Sequence, residues 1–517
     1  MSVVVLVEVD VTSPIGELAT LRFSDRAIRP LSPADLDRPN AVFDDRLVEA
    51  PALRRSLFDD VASLRPALGY GGMTLSNADQ ALDPYRGHLW GEARVWRWIE
   101  DTPFASATPM FRGPCATPGY RHATAQVSRV TVGLYDYRTE VANPLQTHVY
   151  AGSNDGVGVL YEGEADGLKG RQEPLTLGNL LDAHLPSPQV NAGAGVYQLH
   201  DGPVGDQIQI FDRGDNAGLT YRGDATGSAF DTFALDAAQS LTDVARGFVK
   251  INGEPVGQVT FGLKGDAAGG YVDQAGPIAA RVLARMGVPP ERIDASIANP
   301  PGPVVGIYVA DATNAEEVVA QLGASCLAAI APDAQGIWKK VAFGPPKAIA
   351  DYDLAALDVI DLAADESAPL PAGEIRVGWG RIFTTFAGAD LAPALKDTPS
   401  AERLAEEYRW AVYEDLALKA RGPAAWRKVE IPTAIRTEAE ALALLELLKP
   451  LFGLRPDGRA RQGWRVITAE NDETAALDLG RTIGLVYPPR SIDDTFLLMG
   501  VEPMRPKREQ RTWTLWG

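Results

Sequence analysis

The sequence predicts an α+β fold that is mainly β, and three observations carry that prediction. Glycine and proline are both frequent, 50 and 38 among 517 residues, which favours turns and short strands over long helices. Between Tyr161 and Gly214, apolar or alternating runs are repeatedly cut by Gly with Asp or Glu beside it. Examples are Tyr161-Glu162-Gly163-Glu164, Tyr197-Gln198-Leu199-His200-Asp201-Gly202 and Ile208-Gln209-Ile210-Phe211-Asp212-Arg213-Gly214. Short antiparallel strands joined by tight turns have this pattern, because Gly supplies positive φ and Asp bonds back to its own backbone. Helical spacing is concentrated after Gly269.

The length allows about three or four domains at roughly 100–200 residues each. Apolar residues make up 45%, enough for ordinary cores. Lys and Arg number 49 against 68 Asp and Glu, a net charge of −19. That balance argues against a protein that grips DNA by neutralising its phosphates, yet it permits a surface that DNA slides past. The two cysteines, Cys115 and Cys326, lie far apart, form no metal spacing or disulfide framework, and suit a reducing compartment. The start, Met1 to Val7, lacks a basic leader and runs straight into Glu8 and Asp10, so no signal peptide is expected. No run of about 18 apolar residues occurs, hence no membrane span is expected.

In chain order, Val5, Val7, Val9 and Val11 alternate with Leu6, Glu8 and Asp10 as in a half-buried strand. Leu21–Phe23 and Ala41–Phe43 continue the β pattern, and Leu47 to Leu64 fits strand or helix. In Gly71 to Asp83, the residues Asn77, Asp79 and Asp83 sit at calcium-loop spacing. The sixth-position glycine and closing Glu of such a loop are missing, so a side-chain-capped turn is expected. Ala93–Ile99, Thr108–Gly113 and Val127–Tyr137 are further strands, closing a first domain near 145. Central β structure then runs to about 265, ending in an expected hairpin from Phe248–Ile251 through Asn252-Gly253 to Val256–Leu263.

Ala275 to Met286 is an amphipathic helix stopped by Gly287, and Val304–Val309 a strand. Thr313 to Glu316 has the form of a capping box before Val319, Leu322, Cys326 and Ile330, which makes Cys326 a small buried side chain. Gly336–Phe343 returns to β. Acids crowd from Asp351 through Asp353, Asp358, Asp361 and Asp365 to Glu366, as in a solvated or lumen-facing loop. A helix is expected from Thr398 through Leu404, Tyr408, Val412 and Leu416 to Gly422-Pro423, and another from Thr437 until Pro450. Gly463–Thr468, Leu477–Tyr487, Phe496–Glu502 and Gln510–Gly517 close the chain as strands.

Several of these motifs, in this order, resemble the tail hub (baseplate hub) proteins of phages and prophages. The resemblance rests on Leu168-Lys169-Gly170-Arg171 with Pro174-Leu175 and Gly178, then Tyr197-Gln198 with His200-Asp201-Gly202, then Asp212 and Gly214. It extends to Gly71 through Asp83, where Gln80 stands in place of the family's Gly, and to the Phe111-Arg112-Gly113 strand. It closes with Leu479-Gly480, Phe496 to Gly500 and the terminal Thr512 to Gly517. Arg171 replaces a Lys and keeps its charge.

The resemblance implies two β-barrel-like tube domains with inserted β and α/β segments. The first would span 1–145, a central β segment 146–265, a small α/β segment 266–345, and the second barrel-like domain 346–517 with inserted helices. It further implies a homotrimer with pseudo-sixfold symmetry at the virion tail tip, joining a tail tube or distal tail protein to a fibre or spike. A tape measure protein is an implied partner, and DNA would pass without specific binding.

Chemistry finds little footing in the residues themselves. His88, His122, His148, His184 and His200 are scattered, and no Gly-x-Ser-x-Gly elbow exists. His200-Asp201 is the sharpest pair, read as a strand-end turn. Gly163 to Gly170 lacks the following helix of a phosphate loop, and Glu162, Glu164 and Asp166 would repel a phosphate. Trp96, Trp98, Trp513 and Trp516 can stack sugars but suit cores or interfaces better. No catalytic, metal or cofactor residue is expected. The alternatives are a distal tail or receptor-binding component, or a cell-wall or capsule glycan hydrolase of the tail tip.

Overall fold

The computed structural model describes the whole chain except residues 1–2, 27–30, 60–63, 66, 68, 125–126, 156–157, 165, 254, 366–369, 456, 470 and 503–509. Glu366, singled out in the sequence, and one residue of the Gly163 to Gly170 stretch therefore lie outside the described residues. The fold is α+β and mainly β, as the sequence predicts.

The first strand, Val3–Thr12, is the centre of a five-stranded sheet with Leu18–Ser24, Asp44–Asp45, Leu89–Ile99 and Thr108–Pro114. It is buried on both faces, not half-buried. Val5, Val7, Val9 and Val11 face one core, while Val4 and Leu6 face a second one made with Leu31, Phe43, Trp98 and Phe104. Leu47–Ser56 is a strand, settling a segment that sequence left open.

The largest sheet joins the two ends of the chain. Its continuous path runs Val359–Ala364, Gly463–Ala469, Gln510–Trp516, Ile492–Glu502, Leu47–Ser56, Tyr70–Ser76, Val127–Tyr135 and Gly119–Thr124. Every neighbouring pair on that path is antiparallel. Four strands come from the C-terminal part and four from the N-terminal part, and they meet where Gly500 opposes Ser56 and Val501 opposes Arg55. On the inner face, Leu47, Leu53, Met73, Leu75, Val130 and Val132 pack on the first sheet. Val466, Trp513, Leu515, Leu498 and Val501 share a core with the helix Glu438–Phe452 and the strands Ala372–Trp379 and Arg427–Pro432.

Between these ends, the central region forms a five-stranded sheet and a three-stranded one, and Leu175–Gly178 pairs with the distant Gly306–Val309. At Arg213-Gly214 both residues have positive φ and link Asp212 to Asp215, a two-residue hairpin of the kind the Gly signal foretells. Asn252-Gly253 does not make the expected hairpin. Phe248–Asn252 is already paired on both sides, and Val259–Leu263 joins another sheet beside Ile208–Asp212. Neither Asn252 nor Gly253 has the positive φ that the tight turn requires. Helices Ala275–Arg285 and Ala315–Ser325 pack Ile278, Val282, Val319 and Leu322 into one core. The capping box at Thr313 is not formed: Asn314 is the N-cap residue, and the Thr313 hydroxyl turns to Asp311 instead.

Three further expectations are corrected. The acidic region is not a loop, since Tyr352–Ala355 and Val359–Ala364 are strands. The long helix after Thr398 is only Pro399–Ala405, and Arg409–Glu414 is a strand on Ala372–Trp379. Pro450 does not stop the last long helix, which continues to Phe452.

Candidate functional site: the open face of the shared sheet

Alternation decides which side chains the shared sheet presents outward. Because Val130, Val132 and Leu134 point into the core, Arg129, Thr131, Gly133 and Tyr135 point away from it. Register puts Thr74 opposite Thr131, Gly72 opposite Gly133 and Tyr70 opposite Tyr135 on that face. In the C-terminal half, Val466 and Trp513 are buried, so Arg465, Ile467, Thr512 and Thr514 share the outward side, with Gly500 paired to Thr514. The face therefore carries glycines and hydroxyls among larger side chains such as Tyr70, Tyr135, Arg129 and Arg465. Its charges are mixed: Glu502 pairs with Arg465 at 3.1 Å and Arg54 at 3.5 Å. The chain's acidity is not concentrated on this face.

The chemistry candidates fall elsewhere. Asn77, Asp79 and Asp83 form a side-chain-capped turn as expected. Asn77 donates to Asp83 at 2.9 Å and accepts from the Leu82 amide, while Arg46 grips both Asp79 oxygens at 2.8 and 2.7 Å. That guanidinium, first of all, holds the Asp79 carboxyl well below the carboxylate range. Gln80 takes positive φ in the place where the family has Gly. Trp98, Trp513 and Trp516 are core residues. Cys115 and Cys326 are free thiols, and burial pushes Cys115 up to about 12. Among the described residues no group of three or more His, Cys, Asp or Glu is arranged to hold a metal ion.

His200 and Asp201 lie in a bend just beyond the strand Val196–Gln198, so they escape the strand rule that would send them to opposite faces. His200 Nδ1 accepts the Thr176 amide at 3.0 Å and faces Thr176 Oγ1 at 3.2 Å, while Nε2 faces Asp201 at 3.5 Å and Asp266 at 3.7 Å. A hydroxyl, imidazole and carboxylate in a row resembles a hydrolase triad, but Thr176 is 0% exposed and no substrate reaches it. Burial would raise the Asp201 carboxyl; Gln146, His200 and Arg285 outweigh it and hold it low. The cluster ties three segments together, and sequence adjacency alone could not find Thr176 or Asp266.

His184 is a histidine that burial holds neutral, its pKa carried away from physiological pH. It is buried against Phe211 and Phe386, with Nδ1 3.1 Å from Thr260 Oγ1. Burial, reinforced by Arg403, lowers its pKa from 6.5 to about 4. The unfolded chain then binds the extra proton between those values, so the stability from neutral His184 is whole above pH 6.5 and is lost as pH falls toward 4. Urea titrations at pH 7 and pH 5 should show a loss of about 2 kcal/mol that His184→Gln abolishes. Equal pH sensitivity in both proteins would refute the assignment.

No family model and no curated protein matches the chain. Among solved structures, it is similar to the tail protein from Neisseria meningitidis MC58, at 8% identity and TM-score 0.42 over 99% of this chain and 96% of that one. It is also similar to the 43 kDa tail protein of prophage MuSo2 from Shewanella oneidensis, at 8% identity and TM-score 0.43 over 99% and 96%. A third is prophage tail protein gp18 from Listeria monocytogenes EGD-e, at 9% identity and TM-score 0.36 over 100% and 94%.

Proposed function

We propose that this chain is a structural virion protein, the tail hub, which acts by shape and carries no bond-making centre. Three copies would form a ring with pseudo-sixfold symmetry at the tail tip, with 1–145 and 346–517 as its tube domains. The observation that carries this reading is the shared sheet: on its continuous path each end of the chain contributes four antiparallel strands, joined at Ser56 and Gly500. One chain thus presents two similar sectors, and a threefold axis would turn them into six. The ordered motifs of the hub family support the same reading.

Three copies of eight strands at a spacing of about 4.8 Å and a tilt of about 40° would enclose a barrel roughly 45–50 Å across at the backbone. A barrel of that width leaves a channel open to duplex DNA even with Tyr70, Tyr135 and Arg129 facing it, and balanced charges neither hold nor block the DNA. The ring would sit between a tail tube or distal tail protein and a fibre or spike, with the tape measure protein reaching its lumen. Native mass measurement of the assembled protein tests this: the expected species has three times the chain mass of 55.4 kDa. A monomer in assembled tails would end the proposal.

A further inference from the structure

Among the described residues, the eight-strand path of the shared sheet ends on two unpaired edges, Gly119–Thr124 and Val359–Ala364; Tyr352–Ala355 is a third edge, off that path. Exposed strand edges are templates for pairing with another chain, and proteins rarely leave them bare without purpose. Three properties of these two edges fit each other.

The first is direction. Eight strands alternate along the path, so the two terminal strands run oppositely. When copies are set head to tail with the same face inward, the Val359–Ala364 edge of one meets the Gly119–Thr124 edge of the next antiparallel. That is the relation found at every other junction on the path.

The second is the facing of the side chains. Leu362 lies opposite the buried Val466, so Asp361 and Ala363, opposite Ile467 and Arg465, are on the open face. Tyr120 lies opposite the buried Val130, so Arg121, opposite Arg129, is on the open face as well. Both Asp361 and Arg121 are exposed.

The third is charge. Arg121 and Arg129 are cross-strand partners of like sign, an arrangement that costs stability while it stays uncompensated. Among the described residues neither forms an ion pair, and neither do Asp358 and Asp361 at the opposite edge.

We propose that these edges are each other's partners between copies, with Asp361 of one chain set against Arg121 of the next. Tyr120 and Leu362 then meet on the core side. The charges make the contact directional. An edge that met its own kind would set Arg against Arg or Asp against Asp, whereas the head-to-tail order neutralises both. A heterologous contact of this kind closes a ring when its rotation allows. The proposal rests on the ring reading above and names the seam and its polarity.

The test uses the full chain and three variants, Arg121→Glu, Asp361→Arg and the double exchange, with mass measured across a dilution series. Each single reversal should raise the trimer dissociation constant at least about tenfold, and the double exchange should restore it. A second measurement does not depend on the reversals folding well. Arg121→Cys with Asp361→Cys should oxidise to a covalent ladder ending at the trimer, since burial keeps the thiols of Cys115 and Cys326 poorly reactive. A wild-type trimer that is indifferent to the reversals and gives no ladder overturns the seam and leaves the ring reading standing. A wild-type chain that never leaves the monomer removes the ring reading, and the seam with it.

Discussion

Asp136→Ala should destabilise the protein by about 3–5 kcal/mol in a denaturant titration, because it strands a buried guanidinium. Asp136 and Arg138 are 3% and 2% exposed. Asp136 Oδ2 accepts from Arg138 Nε at 3.0 Å and from the Gly69 amide at 2.8 Å, and Oδ1 accepts the Arg138 amide at 2.9 Å. Gly69 allows this closeness, since a Cβ there would stand 2.5 Å from the carboxylate. Arg138 also reaches the carbonyl of Ser56 at 3.5 Å, a residue of the junction with the C-terminal strands. Asp136→Asn keeps an acceptor but loses the charge, and should cost about 2 kcal/mol. Removing both partners, as Asp136→Asn with Arg138→Met, should recover much of the loss, since no lone charge is then buried. If the double variant is no more stable than Asp136→Ala, the charge is not what matters at this site.

Much of the fold is legible locally. Val3–Thr12, Val127–Tyr135 and Gln510–Trp516 alternate, and alternation is a property of neighbouring residues. The failures have physical causes. Leu404, Tyr408, Val412 and Leu416 repeat every fourth residue, and a spacing of four lies on one face of a strand as well as of a helix. Pairing with Ala372–Trp379 made the later part a strand. That partner does alternate, Ile375, Val377 and Trp379 with Glu374 and Arg376, but the sequence reading passes over it behind the acidic run. The feature that carries the functional reading was the least visible. Whether Ser56 pairs with Gly500 depends on contacts between opposite ends of the chain, and no short window of residues records them. The partners of His200 were equally invisible, since Thr176 and Asp266 lie far from it in sequence.

Trp513→Ala should cost about 3–5 kcal/mol and carry assembly with it. Trp513 lies at the middle of its strand, fully buried, with Val466 opposite on one side and Val501 on the other. Its Nε1 donates to Thr468 Oγ1 at 2.8 Å, its ring stacks on Tyr352 with centroids 6.4 Å apart, and Arg511 lies over it at 5.3 Å. Val501 is also the residue that pairs with Arg55, so a void beneath Trp513 loosens the strand on which the two half-sheets join. Trp513→Phe keeps most of the packing and loses only the hydrogen bond, at about 1 kcal/mol. The comparison separates fold from function. At a denaturant-free concentration where Trp513→Phe assembles like wild type, Trp513→Ala should remain folded in its N-terminal sheet yet fail to assemble. The reason is that the edge at Val359–Ala364 hangs from Gly463–Ala469, which hangs in turn from the strand that Trp513 anchors. Normal trimers from the alanine variant would show that the C-terminal half-sheet does not hold the ring together.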